Sequence, residues 1–184
     1  MSIPLRDRFS IVVGDLTCSD AEAIVNAANT TLLGGSGVDG AIHDAAGPEL
    51  LAECRTLGGC ETGQAKLTGG YRLKAKWVLH TPGPIWRGGS CGEAAALLAS
   101  CYRSCLSLAQ AHGIQTVDFP SISTGVYGYP LFQAAPVALR AILEFLMDHD
   151  LPRQVRMVCH REETAAAYRQ AWNLWYAESK ADRM

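Results

Sequence analysis

Residues 24–47, with the sequence IVNAANTTLLGGSGVDGAIHDAAG, decide the fold of this chain. A short apolar strand at residues 23–25 runs into a polar loop that carries two asparagines, Asn26 and Asn29. Glycines and then helix-forming residues follow. This order of strand, polar loop, glycine loop and helix start is the one in which α/β proteins build anion-binding sites.

Four glycines lie between positions 34 and 40 and enclose one carboxylate, Asp39. Apolar residues at helical spacing follow and predict a helix from about Gly40 to the stop at Gly47 and Pro48. A glycine backbone can approach a ligand closely and adopt positive φ angles. A helix start adds free N–H groups and the positive end of the helix dipole. The pattern therefore predicts a cradle for an anion, most simply a phosphate.

A dinucleotide site is one alternative for these glycines, because residues 35–40 fit the pattern G-x-G-x-x-G. That fingerprint directly follows the first strand and is matched by an acidic residue about 20 positions later. Here residues 26–33 separate the strand from the glycines, and residues 59–62 have the composition of a turn. The match is weak evidence for a dinucleotide, and a flexible loop that only requires small residues is the other interpretation.

The composition is that of a globular protein of 184 residues, about the size of one domain, with 48% hydrophobic residues. A formal net charge of -2 argues against general attraction to nucleic acid or to an anionic membrane. No apolar run reaches membrane-spanning length, and the first ten residues lack the apolar core of a secretory signal. We therefore expect a cytoplasmic protein.

The seven cysteines include no C-x-x-C pair, so neither a zinc site nor a thioredoxin motif is indicated. We expect them to be small buried residues in a reducing compartment. The histidines are scattered rather than spaced as ligands, and we expect no metal and no cofactor.

Short apolar strands alternate with helices along the chain, which predicts an α/β sandwich with a largely parallel sheet in one domain. Further strands are predicted at Phe9–Val13, residues 63–67, residues 77–80, Thr116–Phe119 and Gln154–Cys159. Further helices are predicted at Pro48–Arg55 and at residues 93–112, 133–148 and 163–176. His80 ends one of these strands, and we expect a satisfied core histidine there rather than a catalytic base.

Two other polar stretches follow predicted strands. Residues 123–127, STGVY, join a strand to a helix and could hold a diphosphate, with Tyr127 covering a ribose. Asp15 follows the first strand and could either contact a ligand or cap the turn at Leu16. Because the carboxyl ends of parallel strands share one edge, we expect these stretches and the glycine loop to converge on one cleft.

Five motifs in this order resemble the macrodomain family, most closely its MacroD-type branch with the bacterial YmdB-like proteins. The resemblance extends from about Phe9 to Trp172. The motifs are GDLT at 14–17, IVNAAN at 24–29, GGSGVDGAIHDAAG at 34–47, HTPGPIW at 80–86 and STGVYGYP at 123–130. The resemblance implies a three-layer α/β/α fold with a mixed, largely parallel sheet, a core at about residues 9–176, and an ADP-ribose pocket.

The resemblance also implies a role for each site residue. Asp15, with the backbone of Leu16, would contact adenine; Asn29 would contact the distal ribose, and Asp39 would lie near its anomeric carbon. His160 occupies the position that usually stacks on adenine. Two loops would wrap the diphosphate, and their residues are Ser36, Gly37 and Val38 on one side and Ile122, Ser123, Thr124, Gly125, Val126 and Tyr127 on the other.

The chain departs from the family pattern at two places. Ser36 replaces a usual glycine, which could restrict the loop. His160 and Arg161 replace the common pair of an aromatic and an acidic residue, so the stacking on adenine differs.

The function expected from these residues is ester hydrolysis. The protein would deacetylate O-acetyl-ADP-ribose, remove mono-ADP-ribose from acidic side chains of proteins, or do both. Asp39, expected to be an exposed carboxylate, would orient a water, and Asn29 would fix the ribose. The alternative is a non-catalytic module that only reads ADP-ribose, or a regulatory protein that acts through a protein or RNA partner.

Overall fold

The structure is a computed structural model that describes residues 3–88 and 92–181. Its strands are β1 Phe9–Val13, β2 Ala23–Ala28, β3 Lys66–Gly69, β4 Trp77–Pro82, β5 Thr116–Phe119 and β6 Gln154–Cys159. Its helices are α1 Leu5–Arg8, α2 Gly37–Ala46, α3 Pro48–Arg55, α4 Gly92–Ala111, α5 Leu131–Asp148 and α6 Glu162–Ala181. A 3-10 turn, Leu16–Cys18, follows β1.

The six strands form one mixed sheet in the order β1-β6-β5-β2-β4-β3. Every neighbouring pair is parallel except β3 and β4, so the one antiparallel strand lies at an edge. The predicted largely parallel sheet is therefore confirmed. Because β2 lies between β5 and β4, the loops that follow these three strands are neighbours although they are distant in sequence.

Helices cover both faces of the sheet, as the alternation of side chains along β2 shows. Val25 packs into the larger core, together with buried residues of α4, α5 and α6. Its neighbour Ile24 points the other way and packs with Ile42 of α2 and Leu50 of α3. This is the expected three-layer arrangement.

Several boundaries differ from the sequence prediction; β4 runs on to Pro82 and α6 to Ala181, and three further differences affect the site or the edge of the sheet. β2 runs to Ala28, so Asn26 is a buried strand residue and does not lie in the polar loop. α2 begins at Gly37, which places Asp39 in its first turn instead of before the helix. β3 begins at Lys66 and not at Gly63. Gly63 has a φ angle of +87°, which is not a strand conformation, although its N–H still donates to the carbonyl of Pro82 in β4.

Five of the six cysteines in the described ranges are buried, and all six are free thiols. Burial raises the pKa of Cys54 to about 11, as expected for a small apolar residue. Cys91 lies outside the described residues. Among the helices of the described ranges, none has the length and apolar character needed to cross a bilayer.

Candidate active site

A cavity of about 240 Å³ lies at the carboxyl ends of β2, β4 and β5. Its wall is built by the end of β2, the glycine loop with the start of α2, Gly83 after β4, and the loop after β5. Nine of the predicted site residues line it: Asn29, Ser36, Gly37, Val38, Asp39, Ser123, Gly125, Val126 and Tyr127. The two loops therefore converge as expected, but Asp15, which was expected to join them in one cleft, does not line this cavity.

Two predicted residues of the second loop do not line this cavity. Ile122 is fully buried in the larger core, and its backbone N–H donates to the hydroxyl of Tyr102 at 3.1 Å. Thr124 donates its hydroxyl to the carbonyl and the Oγ of Ser121. Both residues therefore hold the loop in place through contacts on the side away from the cavity.

Asp15 and Leu16 lie at a neighbouring site. Asp15 lines a groove of about 310 Å³, together with Gly14, Lys74 and Arg156. Leu16 is buried in the smaller core.

Asp15 is the N-cap of the 3-10 turn. Its Oδ1 accepts from the backbone N–H of Thr17 at 2.9 Å and from the Thr17 hydroxyl at 2.7 Å. These hydrogen bonds hold the pKa of Asp15 below its usual value, and the charge of nearby His160 adds a smaller effect. His160 is exposed at the end of β6, beside β1. Asp15 therefore caps the turn, and its exposed carboxylate also lines the groove.

Two glycines of the first loop, Gly35 and Gly40, leave little room for a side chain. A Cβ added to Gly35 would lie 3.0 Å from Oδ2 of Asp39 and 3.5 Å from Nδ2 of Asn29. A Cβ on Gly40 would lie 2.6 Å from the carbonyl oxygen of Gly35. Gly37 has a φ angle of +62°, in the left-handed region. The loop therefore passes directly over Asp39 and Asn29.

Asn29 holds this loop in shape through both ends of its amide. Its Nδ2 donates to the carbonyl of Gly34 at 2.8 Å. Its Oδ1 accepts from the Thr31 hydroxyl at 2.6 Å and from the Leu32 N–H at 3.1 Å. The amide at the cavity wall is thus fixed before any ligand arrives.

The carboxylate of Asp39 is buried, with only 4% of the residue exposed, so the expectation of an exposed group is wrong. Its Oδ1 accepts from Nδ2 of Asn26 at 2.8 Å and lies 3.4 Å from Nε2 of His43, one helical turn later. The reason for the burial is the early start of α2, which turns the side chain inward beneath Gly35. A carboxylate in the first turn also benefits from the helix dipole.

Asn26 and His80 are buried polar residues that contact each other behind the cavity. Nδ2 of Asn26 lies 3.1 Å from Nδ1 of His80, and Nε2 of His80 lies 2.8 Å from Oγ1 of Thr68. Desolvation lowers the pKa of His80 to about 3, and nearby His43 contributes to the same shift. His80 is a hydrogen-bonded core residue, as predicted.

Asn26 is the functional candidate that the sequence reasoning missed. A strand places every second residue on one face, so Asn26 shares its face with Ile24 and Ala28, which pack in the smaller core. A polar residue in such a row requires a partner from the helix above it, and this signal appears only once β2 is known to run to Ala28.

The second loop carries its own unusual geometry. Ser123 has a φ angle of +66°, and its buried Oγ has no hydrogen-bond partner among the described residues. A Cβ on Gly83 would lie 2.2 Å from that Oγ, so glycine is required where the loops after β4 and β5 meet. The Trp86 N–H donates to the Tyr127 carbonyl at 2.8 Å and joins the two loops.

The electrostatics of the cavity favour backbone recognition of an anion. Among the described residues that line it, Asp39 is the one charged side chain, and lysine and arginine do not occur. Anion contacts would therefore come from loop and helix N–H groups. Within the described ranges, no group of three or more metal-ligating side chains is placed to hold an ion.

Comparison with known proteins agrees with this geometry. The Macro domain family model matches residues 25–138. A macro domain-containing protein of Methanosarcina mazei is 53% identical over 165 residues, which cover 90% of this chain and 88% of that protein. A Salmonella gallinarum protein named O-acetyl-ADP-ribose deacetylase is 52% identical over 168 residues, covering 89% of this chain and 93% of its own. The Oceanobacillus iheyensis macrodomain with ADP has a TM-score of 0.90 at 41% identity, covering 97% of each chain. The chain therefore belongs to the Macro domain family.

Proposed function

We propose that this protein binds ADP-ribose and hydrolyses its esters, with Asp39 and Asn29 as the catalytic residues. The observation that carries the proposal is the convergence of these two side chains on Gly35. One Cβ added there would lie within 3.5 Å of both the Asp39 carboxylate and the Asn29 amide. Two polar groups held this close beneath a glycine at a cavity wall can act on the same ligand atom.

The strand order supports an extended ligand along the carboxyl edge of the sheet. Asp15 and His160 follow the adjacent strands β1 and β6, and the next strands inward, β5 and β2, precede the two cavity loops. Adenine would lie against the Asp15 groove, the diphosphate between the two loops, and the distal ribose beside Asn29 and Asp39. The N–H groups of residues 36–38 and 123–127 would bind the diphosphate.

Asp39 is suited to orient a water molecule. Its Oδ1 is engaged by Asn26, and its Oδ2 faces the backbone of Gly35 at the cavity wall. For an acetyl ester, the water oxygen bonds to the acyl carbon, the bond from that carbon to the ribose oxygen breaks, and a proton passes to the ribose oxygen. The products are ADP-ribose and acetic acid, which releases its proton to water and leaves as acetate. Fixing water and ribose at attack distance supplies much of the rate gain.

The relatives support the small ester as one substrate. Salmonella proteins that are about half identical to this chain are named O-acetyl-ADP-ribose deacetylase. Removal of mono-ADP-ribose from acidic side chains is the finer part of the proposal. It rests on the same chemical bond type, an ester of a ribose hydroxyl with a carboxylic acid.

The test is to incubate the protein with O-acetyl-ADP-ribose and, separately, with a protein that carries ADP-ribose on carboxylates. Release of ADP-ribose is followed by chromatography, and calorimetric titration compares ADP-ribose with AMP, ATP and NAD. We expect turnover of at least the acetyl ester and tightest binding of ADP-ribose. Binding without turnover of either substrate would identify a reader module, and equal binding of NAD would refute the pocket assignment.

A further inference from the structure

We infer that His80 is a positioning residue for the proposed reaction, and that it fixes the Asp39 carboxylate through the amide of Asn26. The inference rests on the proposed catalytic role of Asp39. His80 and Thr68 are buried and neither lines the cavity, so we expect neither to touch the ligand. Their effect has to pass through Asn26.

Four side chains from four different elements form one continuous hydrogen-bonded row. Thr68 of β3, His80 of β4, Asn26 of β2 and Asp39 of α2 are linked by contacts of 2.8, 3.1 and 2.8 Å. Each of the four residues is at least 95% buried. The row begins at the edge strand of the sheet and ends at the cavity wall.

Only one arrangement of hydrogens satisfies this row. The Asp39 carboxylate can only accept, so the group of Asn26 that faces it has to be the Nδ2 amide. The second N–H of the same Nδ2 faces Nδ1 of His80, which therefore accepts and leaves the ring hydrogen on Nε2. That hydrogen points to the Thr68 hydroxyl, which in turn donates to the carbonyl of Gly69 at 3.1 Å.

The His80 ring is what prevents the Asn26 amide from turning over. A turned amide would place its oxygen against both the Asp39 carboxylate and Nδ1 of His80, two acceptors at once. In the observed orientation Oδ1 of Asn26 is buried without a partner among the described residues. The amide of Asn26 therefore keeps its nitrogen towards Asp39, although this orientation leaves its oxygen without a hydrogen bond.

The row works only while His80 is neutral, and its surroundings keep it neutral. The groups around the ring are the Thr68 hydroxyl, the Asn26 amide, the Cys54 thiol at 3.9 Å from Nε2, and His43 nearby. Burial lowers the pKa of His80 to about 3. The acceptor at Nδ1 is thus available at any pH where the enzyme would work.

The test removes the Thr68 hydroxyl, at the end of the row farthest from Asp39, and changes no residue that lines the cavity. Thr68→Val keeps the shape of the side chain but takes away the acceptor for Nε2, so the ring can shift its hydrogen to Nδ1 and oppose Asn26. We expect kcat for the acetyl ester to fall about 10- to 100-fold, with the Kd for ADP-ribose within twofold. Thr56→Val makes the same chemical change at an exposed helix end, where the hydroxyl donates to the carbonyl of Glu53, and should leave both values unchanged.

A second pair of variants tests the ring itself. His80→Asn retains an acceptor close to the position of Nδ1, and it should retain more kcat than His80→Leu at equal ADP-ribose affinity. Imidazole 15N NMR of the unaltered protein provides a readout that does not depend on any variant folding. It should show His80 as the neutral Nε2–H tautomer from about pH 5 to pH 8.

Several outcomes would overturn the inference. They are an Nδ1–H or charged His80 in the NMR spectrum, a Thr68→Val enzyme with unchanged kcat, or a parallel loss of kcat and ADP-ribose affinity. Failure of the proposed function would look different, because the unaltered protein would then turn over neither ester, or Asp39→Ala would keep the parental turnover. If Asp39→Ala is inactive and Thr68→Val is fully active, only the inference about His80 is wrong.

Discussion

At the scale of single residues, Gly35 packs closely against both proposed catalytic groups at the cavity wall. Gly35→Ala would put a methyl group 3.0 Å from Oδ2 of Asp39 and displace the carboxylate. We expect kcat to fall about 10- to 100-fold with little change in melting temperature, because the φ angle of Gly35 is not in the left-handed region. Gly92→Ala is the matched control, since its Cβ meets open space. Equal turnover of the two variants would contradict the close approach.

Asp15 serves both as the cap of a turn and, by the proposal, as an adenine contact, and one variant separates the two roles. Asp15→Ala loses the hydrogen bonds from Thr17, which should cost about 0.5–2 kcal/mol of stability. Loss of a charged hydrogen bond to adenine should weaken ADP-ribose binding about tenfold or more. Calorimetric titration and urea unfolding of the same preparation measure both. A stability loss with unchanged affinity would leave Asp15 with its capping role alone.

At the scale of elements, strands β5 and β6 are joined by an ion pair that lies partly in the core. Arg156 donates through Nε and Nη2 to the two carboxylate oxygens of Asp118, both at 2.8 Å, and through Nη2 to Asp20 at 2.8 Å. Asp118 is 1% exposed and also accepts from the Ser19 hydroxyl. A buried carboxylate that loses its cation is strongly destabilising.

Arg156→Met should therefore lower the free energy of unfolding by about 3–5 kcal/mol. Asp20→Ala removes the exposed partner and should cost far less than Arg156→Met, because water screens a surface ion pair. The double variant Arg156→Met with Asp118→Leu should recover much of the loss, because no buried charge remains. Urea unfolding at constant pH measures all three. A small loss in Arg156→Met alone would show that solvent reaches Asp118.

The elements themselves were predictable, because strands and helices are encoded by local spacing of apolar residues. The strand Phe9–Val13 and the helix Pro48–Arg55 have the predicted bounds. The errors that affect the site fall at Asn26 and Asp39, which were predicted to lie outside the strand and the helix. These two residues hydrogen-bond to each other across 13 positions of sequence. A boundary that depends on a partner from another element cannot be read from local spacing.

At the scale of the whole molecule, the order of the strands in the sheet determines which loops meet to form the site. The sequence indicated that polar loops follow strands, and the rule that ligands bind at carboxyl ends placed them on one edge. It did not indicate that β2 would lie between β5 and β4, which brings the loops at Gly35, Gly83 and Ser123 together. Strand order is set by packing of distant segments, and for this reason it was found only in the structure.

The buried histidine predicts how the whole protein responds to acid. The pKa of His80 is about 3 in the folded chain and about 6.5 in an unfolded one, so between these values the unfolded chain binds more protons. The contribution of His80 is fully present above about pH 6.5 and is lost, by up to about 1.4 kcal/mol per pH unit, as the pH falls towards 3.

Urea unfolding from about pH 7 to about pH 5 measures this slope. His80→Leu should show a shallower dependence on pH than the parent protein, whatever its absolute stability. His112→Gln, a change at an exposed histidine, should keep the parental slope. A parental slope in His80→Leu would mean that other groups determine the acid sensitivity.

The central claim is that Asp39 acts in the reaction and is not merely a buried residue of the first turn of α2. Asp39→Asn keeps the shape of the side chain and an oxygen acceptor for Asn26, but removes the negative charge. The decisive measurement is kcat for O-acetyl-ADP-ribose and Kd for ADP-ribose on one Asp39→Asn preparation. We predict a fall in kcat of about 10²–10⁴ with a Kd changed by less than about fivefold, since a ground-state contact is worth far less than a positioned base. Retained turnover, or a loss of affinity as large as the loss of turnover, would contradict the account.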